Sequence, residues 1–280
     1  MPINFFKHIS SPNDALITRI SPPEHLKDFV EGFYLFKSED LRGRQLFFND
    51  GYPVITFMQH RASNMQINLN GGSLKIGNAW VCGGLLKKIY CESPINTEEF
   101  FVIRFKPVTF FRLFNISENI FRNKPIFDLV EIAADDFSIL NNSFYSNADI
   151  THKVEAVSAF LSQRVCATSY PNLLRDLVNN IEQGRSLTVR ELAKVCGVRL
   201  NYKWLERNFK KHIGVSPKDY LLRRRFLNVY CSLNSSSSAA LLQTALEHGY
   251  YDDNHLIKEF RSFSGQSPKA FFQNNNHNHS

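Results

Sequence analysis

No run of eighteen apolar residues occurs anywhere in the 280-residue sequence, so no membrane-spanning helix is expected. The stretch from Met1 to Ile20 has no basic head followed by an apolar run, and so lacks the form of a secretory signal. The five cysteines (Cys82, Cys91, Cys166, Cys196, Cys231) are odd in number, widely spaced and free of any C-x-x-C pattern. That suggests neither a zinc site nor a disulfide framework, and Cys166, Cys196 and Cys231, on apolar helical faces or at helix ends, read as buried, reduced thiols. Before residue 171 the four histidines (His8, His25, His60, His152) form neither H-x-H nor H-E-x-x-H, so no metal site is expected there. "NGGSLKIG" lacks the Lys-Ser/Thr ending of a phosphate loop and reads as a hairpin turn. Nothing gathers a nucleophile, a base and an oxyanion donor. The expectation is a cytoplasmic protein with no catalytic residue, no metal and no cofactor.

Surplus charge is also missing, but only from part of the chain. Residues 1–170 hold 17 Lys and Arg against 17 Asp and Glu, whereas residues 171–280 hold 16 against 9. The whole net charge of +7 therefore lies in the C-terminal part. A surplus of that size favours polyanion binding only weakly when taken alone.

The texture changes once along the chain. Short segments rich in aromatic and β-branched residues lie at 29–36, 47–58, 65–69, 74–82 and 100–106. Turn signals at Asn49-Asp50-Gly51 and Asn70-Gly71-Gly72 separate several of them, which predicts antiparallel strands and hairpins. A helix is predicted over 107–115, with Pro107 near its start. Asp135 to Asp149 is polar and patternless and reads as a loop or frayed linker. From residue 150 helices take over, with Val154, Val157, Phe160, Leu161 and Val165 at helical spacing. Tyr170-Pro171-Asn172 marks the domain boundary. The tail from Asn274 is poor in apolar residues and is predicted to be unstructured.

The basic part contains an internal repeat. "KWLERNFKKHIGVSP" and "GYYDDNHLIKEFRSFSGQSP" both reduce to L-x-x-x-F-x-x-x-x-G-x-S-P, with Leu205, Phe209, Gly214, Ser216 and Pro217 in one copy. Leu256, Phe260, Gly265, Ser267 and Pro268 fill the same places in the other. Upstream of each copy stands A-x-x-x-G, as Ala193 with Gly197 and Ala245 with Gly249. Thr188 and Glu191 have the spacing of a capping box. Four serines, Ser235 to Ser238, form a short turn. The unit is thus a short helix, a glycine turn, a second helix, then a helix opened by proline. A small residue lets two helices approach closely and glycine permits a tight turn, the logic of a helix-turn-helix whose second helix enters the major groove.

If Leu205, Phe209, Leu256 and Phe260 face inward, Lys203, Glu206, Arg207 and Lys210 face outward in one copy. Asp253, Asn254, Ile257 and Lys258 do so in the other. Each alone reads as a solvated residue; as sets on duplicated helices they point to DNA. Arg207 suits a bidentate guanine contact, worth about 1–3 kcal/mol of discrimination. Asp253 either accepts from a cytosine amine or caps its own helix. Lys210, Lys211 and Arg223 to Arg225 read as phosphate contacts or solvated charge.

"ALEHGYYDDNHLIKEFRSFSGQSPKAF", with "ELAKVCG" and "WLERNFKKHIGVSPKDYLLRRRF", resembles the AraC/XylS family of bacterial transcription regulators over residues 171–273. The resemblance implies an all-α domain of seven helices with two helix-turn-helix units that read successive turns of one DNA face. By position it implies Lys203, Glu206, Arg207, Asp253, Asn254 and Lys258 as outward reading residues, with Lys210 and His255 at the DNA backbone. Two departures stand out: a lengthened turn at 198–203, and Thr244 in place of the usual apolar residue. "SPPEHLKDFVEGFYLF" and "FFVIRFKPVTFFRLFNIS" resemble a small β-rich domain that precedes such modules. Phe33, Tyr34, Phe36, Trp80 and Tyr90 are read there as core in preference to a ligand pocket.

The fold class expected is α+β. A β-rich sensor or dimerisation domain (1–150) is followed by a linker helix (151–170), the helical DNA-binding domain (171–273) and a disordered tail (274–280). The function expected is a sequence-specific regulator, activators included, with double-stranded DNA as partner. A small-molecule effector, an RNA polymerase contact and a homodimer stay open. The alternative is an interaction protein whose repeated module has lost specific DNA binding.

Overall fold

The computed structural model describes residues 1–9, 15–37, 44–61, 65–69, 72–92, 99–117, 120–165, 172–183, 188–191, 202–235 and 241–276. The N-terminal body is built on two antiparallel sheets, as the alternating aromatic and β-branched segments predict. Its strands are β1 (Ile17–Ile20), β2 (Val30–Lys37), β3 (Arg44–Leu46), β4 (Val54–Met58), β5 (Met65–Leu69), β6 (Gly72–Ile76), β7 (Ala79–Cys82), β8 (Tyr90–Glu92), β9 (Glu99–Phe105) and β10 (Ile126–Asp128). One sheet has the order β1-β2-β9-β4-β7-β10 and the other β3-β8-β5-β6.

Alternation along the six-stranded sheet sends side chains to two cores. Tyr34, Phe36, Phe100, Val102, Trp80 and Cys82 point toward the second sheet and meet Leu46, Met65, Ile67, Tyr90 and Cys91. Phe33, Phe101, Ile103, Ile55, Phe57 and Val81 point the other way, onto helices. All five aromatics weighed as pocket candidates are buried in these cores: Phe33, Tyr34, Phe36, Trp80 and Tyr90. Tyr90 also stacks under the Arg44 guanidinium, 4.3 Å from its ring centre.

Several sequence expectations are corrected here. The segment 47–58 forms a strand only from Val54, because Asn49 to Gly51 make a local turn in which Asn49 Oδ1 accepts from Gly51 N at 2.9 Å. The segment 74–82 is two strands, β6 and β7, in different sheets. The helix predicted over 107–115 is shortened to α2 (Phe110–Leu113), after α1 (Phe5–Ile9) near the start and before α3 (Ile120–Asn123). Asp135 to Phe144 is helical, part of α4 (Val130–Phe144), and only residues 145–149 form the expected connection. The chain kinks at Ala133 (φ −116°, ψ 26°), and beyond the kink the helix forms despite its Asp, Asn and Ser because Leu140 and Phe144 are buried on one face. Next comes α5 (Ile150–Ser162), capped by Asp149, whose carboxylate accepts from His152 N at 3.1 Å. It lays Val157, Phe160 and Leu161 into the same core as Phe33 and Phe101.

Beyond residue 171 every described element is helical: α6 (Asn172–Glu182), α7 (Tyr202–Ile213), α8 (Pro217–Ser235), α9 (Leu241–Glu247), α10 (Asp253–Ser264) and α11 (Pro268–Asn276). The chain is thus α+β, with a β-rich N-terminal part and a helical C-terminal part. Thr188 and Glu191 form the capping box predicted, with Thr188 N donating to Glu191 Oε2 at 2.7 Å and Glu191 N to Thr188 Oγ1 at 3.2 Å. Ala193, Cys196, Gly197 and the lengthened turn at 198–203 fall, up to residue 201, outside the described residues, as does Cys166. Helix α11 continues through Asn276, past the start of the tail read as unstructured. Among the described residues no helix is long and apolar enough to cross a membrane.

Candidate nucleic-acid interface

The repeated G-x-S-P acquires a physical reason at the ends of α7 and α10. Gly214 and Gly265 take φ of 79° and 81°, the left-handed conformation that closes a helix and that glycine adopts at little cost. Gly214 N returns to Phe209 O at 3.1 Å, and Gly265 N to Arg261 O at 2.8 Å. The serine two residues later then caps the following helix. Ser216 Oγ accepts from Asp219 N at 3.1 Å and Ser267 Oγ from Ala270 N at 3.4 Å. Proline follows at the first helical position, where its missing N–H leaves no bond unmade. Stop, cap and restart are written into four residues, twice.

Within each repeat the apolar residues anchor the helix. Leu205, Phe209 and Ile213 are buried against Leu174, Leu177, Val178 and Tyr220. Leu256, Phe260 and Phe263 are buried against Phe226, Tyr230 and Phe271. Anchoring turns the opposite face outward. On α7, Lys203, Arg207, Lys210 and Lys211 are exposed and Glu206 is half-buried. On α10, Asn254, His255, Lys258 and Arg261 are exposed while Asp253 and Ile257 are half-buried. A shift of 51 residues superposes Lys203, Arg207 and Lys210 on Asn254, Lys258 and Arg261. Both helices therefore show one stripe at i, i+4 and i+7, a single face at 3.6 residues per turn.

Local bonds qualify several members. Glu206 Oε1 accepts from Lys210 Nζ at 2.7 Å, so a cytosine contact by Glu206 competes with its own neighbour. Asp253 does not cap α10: Asp252 does, accepting from His255 N at 2.7 Å, which leaves Asp253 in the first turn. His255 stacks edge-on against Tyr250, with ring centres 5.3 Å apart. Thr244 is buried inside the second unit. The sequence reading passed over Arg261, although the repeat assigns it the place of Lys210. It also passed over Tyr251, 89% exposed just before α10.

The three arginines of α8 depart furthest from expectation. Arg223 is 1% exposed, and its Nη1 donates to Gly84 O at 2.7 Å and Asn49 Oδ1 at 3.2 Å. Arg224 pairs with Glu182 at 3.1 Å and Asp50 at 3.5 Å. Arg225 pairs with Glu259, which also accepts from the Tyr250 hydroxyl at 2.6 Å. All three are engaged inside the protein, so none is presented to phosphate in this structure. Burial alone would raise the Asp50 pKa, but Arg104 and Arg224 outweigh it and hold the carboxyl below its ordinary value. Burial wins at Glu182, whose pKa is raised despite Arg224. At Tyr250, burial and the Glu259 carboxylate both push the phenol up.

Among the described residues no group of three or more His, Cys, Asp or Glu is gathered as for a metal ion. Comparison with known proteins agrees with the repeat. Residues 192–274 match the family described as a helix-turn-helix domain, and residues 18–126 match a domain of unknown function, DUF6597. The chain is 23% identical over 128 residues to the XylDLEGF operon transcriptional activator of Pseudomonas putida, a match covering 44% of this chain and 39% of that protein. It is 34% identical over 73 residues to the HTH-type transcriptional activator RhaS of Pectobacterium carotovorum subsp. carotovorum, covering 25% of each. These matches span only a minor part of either relative. Among solved structures, ToxT from Vibrio cholerae aligns over 92% of this chain and 96% of its own, at 13% identity and a TM-score of 0.44.

Proposed function

We propose that this chain, whose residues 192–274 match a helix-turn-helix domain, is a sequence-specific DNA-binding transcription regulator of the AraC/XylS type. One observation carries the reading. Two helices 51 residues apart bury matching apolar anchors and expose matching polar stripes, Lys203/Arg207/Lys210 and Asn254/Lys258/Arg261. The shared anchors fix that register, and what both exposed stripes carry there, Lys, Arg and Asn with no acid, suits two heads on one duplex. The heads enter successive major grooves about 34 Å apart on an asymmetric site. Arg207 takes guanine O6 and N7, and Asn254 suits the bidentate pattern of adenine. Glu206 and Asp253 are the acceptors available for a cytosine amine, Glu206 once Lys210 turns to phosphate. Lys203, Lys210, His255, Lys258 and Arg261 complete the contact surface.

The reading divides the chain into an N-terminal body (1–150), a connecting segment (151–170) whose helix α5 packs on that body, and a DNA-binding domain (171–273). It places the protein in the cytoplasm with the chromosome, and gives the N-terminal body the regulatory role through a small molecule or a second copy of the chain. The relatives are named as activators, which makes RNA polymerase the further partner of this reading. A non-enzymatic role follows from the same argument.

A salt-titrated shift assay on the DNA upstream of its own operon tests the proposal. Specific binding is expected, and Arg207→Ala with Lys258→Ala should abolish the preference while the circular dichroism stays unchanged. Equal weak binding of the wild type to every sequence would refute it.

A further inference from the structure

One helical turn of α8 meets three parts of the molecule. Arg223 reaches the N-terminal body at Asn49 and Gly84, and Arg224 joins Asp50 of that body to Glu182 of α6. Arg225 holds Glu259 of α10. Asp50 is itself fixed by both nitrogens of the Arg104 fork, at 3.2 Å and 3.1 Å, and Arg104 also pairs with Glu31 at 3.1 Å. A chain of charges, buried at Arg104 and Asp50, thus runs from β2 and β9 of the N-terminal sheet to α6, which packs against α7 of the first helix-turn-helix unit. The junction is not fully satisfied: Arg223 Nε and Nη2 and Arg224 Nε are buried without a hydrogen-bond partner.

The same body grips the second unit elsewhere. The last carbonyls of a helix have no partner within it and need one from outside. At the end of α10 the N-terminal body supplies two. Lys88 N donates to Phe263 O at 2.6 Å, and the Tyr90 hydroxyl donates to Ser264 O. Lys88 holds a φ of 56° to do so, a conformation unfavourable for a residue with a side chain. The Lys87 ammonium lies 5.3 Å from the centre of the Phe263 ring, and Phe48 meets the Phe226 and Phe263 rings at 5.1 Å and 6.1 Å.

We propose that the N-terminal body sets the distance and orientation between the two reading helices through these two clasps, Asp50–Arg224–Glu182 on α6, which packs against α7, and Lys88 with Tyr90 on the end of α10. The inference rests on the DNA-binding reading and adds how spacing is fixed. Asp50, Lys88 and Tyr90 are positioning residues: they act through the helices and touch no DNA. A signal that moves residues 49–51 or 84–90 then reaches DNA as a change in the half-site spacing the protein tolerates.

The test uses the full chain, as wild type and as Asp50→Asn with Tyr90→Phe. Asparagine keeps the shape of Asp50, and it leaves Arg104 with Glu31 and Arg224 with Glu182. Probes are the site that the wild type selects and the same site lengthened by two base pairs between its halves. The wild type should lose about tenfold or more in affinity on the lengthened site, and the double variant should lose much less, with non-specific binding unchanged. A double variant that stays folded and keeps the full wild-type spacing preference overturns the proposal. If it fails to fold, Tyr90→Phe alone decides by the same two outcomes. A wild type that binds its site yet ignores spacing sinks this inference and leaves the DNA reading standing. One that binds all sequences alike sinks both.

Discussion

Gly51 adopts φ of 114°, and a Cβ placed on it would lie 2.5 Å from Cε2 of Tyr220, which sits on α8 in the other body. Tyr220 cannot retreat freely, because its hydroxyl donates to Glu182 at 2.8 Å and its ring packs against Phe209 at 5.8 Å. Gly51→Ala therefore overpacks the junction and should cost about 1–3 kcal/mol in denaturant unfolding. In Gly51→Ala with Tyr220→Leu the two costs should be less than additive, because the smaller side chain relieves the clash. Strict additivity would mean that the two residues do not meet. Sequence offered half of this. Asn49-Asp50-Gly51 was legible as a turn, since its residues are turn formers wherever they occur. That the turn holds a buried ion pair was not, because Asp50, Arg104 and Arg224 are distant in sequence and no local rule links them.

At the scale of elements, the helices of the repeat were legible because their ends are chemical. Glycine stops, serine or threonine caps and proline starts are decided by neighbours three or four residues away. The cap of α10 shows the limit of that legibility. Two adjacent aspartates competed, and backbone geometry chose Asp252, which has φ −153° and ψ 174°, over Asp253 inside the helix. Asp252→Ala should accordingly destabilise the second unit by about 1 kcal/mol, while Asp253→Ala, which removes only a first-turn acid, should cost less, about 0.3 kcal/mol. Hydrogen exchange at the first amides of α10, beginning with His255, reads the difference; equal effects from both substitutions would contradict the assignment. Helix α4 was illegible for the opposite reason. Beyond the kink at Ala133 its buried apolar face, Leu140 and Phe144, is sparse, and only packing on the N-terminal sheet makes a helix of so many Asp, Asn and Ser residues. Strands β3, β8 and β10 have three residues each, too few to show a period.

For the whole molecule, the surplus of positive charge does not translate into a count of DNA contacts. The basic half contains three consecutive arginines that composition would assign to phosphate, yet all three are paired within the protein. Charge that never leaves its internal partner releases no counterions from DNA, whereas charge on an exposed stripe does. The two populations should separate in the slope of log K against log salt. Removing one phosphate contact lowers the magnitude of that slope by about 0.9. Arg261→Ala, on the exposed face of α10, should show that decrement. Arg224→Gln should leave the slope unchanged whatever it does to affinity, because Arg224 contributes position and no counterion release. A slope that falls by the same amount in both variants would mean that α8 lies on the duplex and that the arginines leave their buried partners when DNA binds. In that event the contact between the two bodies opens on the DNA, and the spacing of the heads is set by the duplex alone.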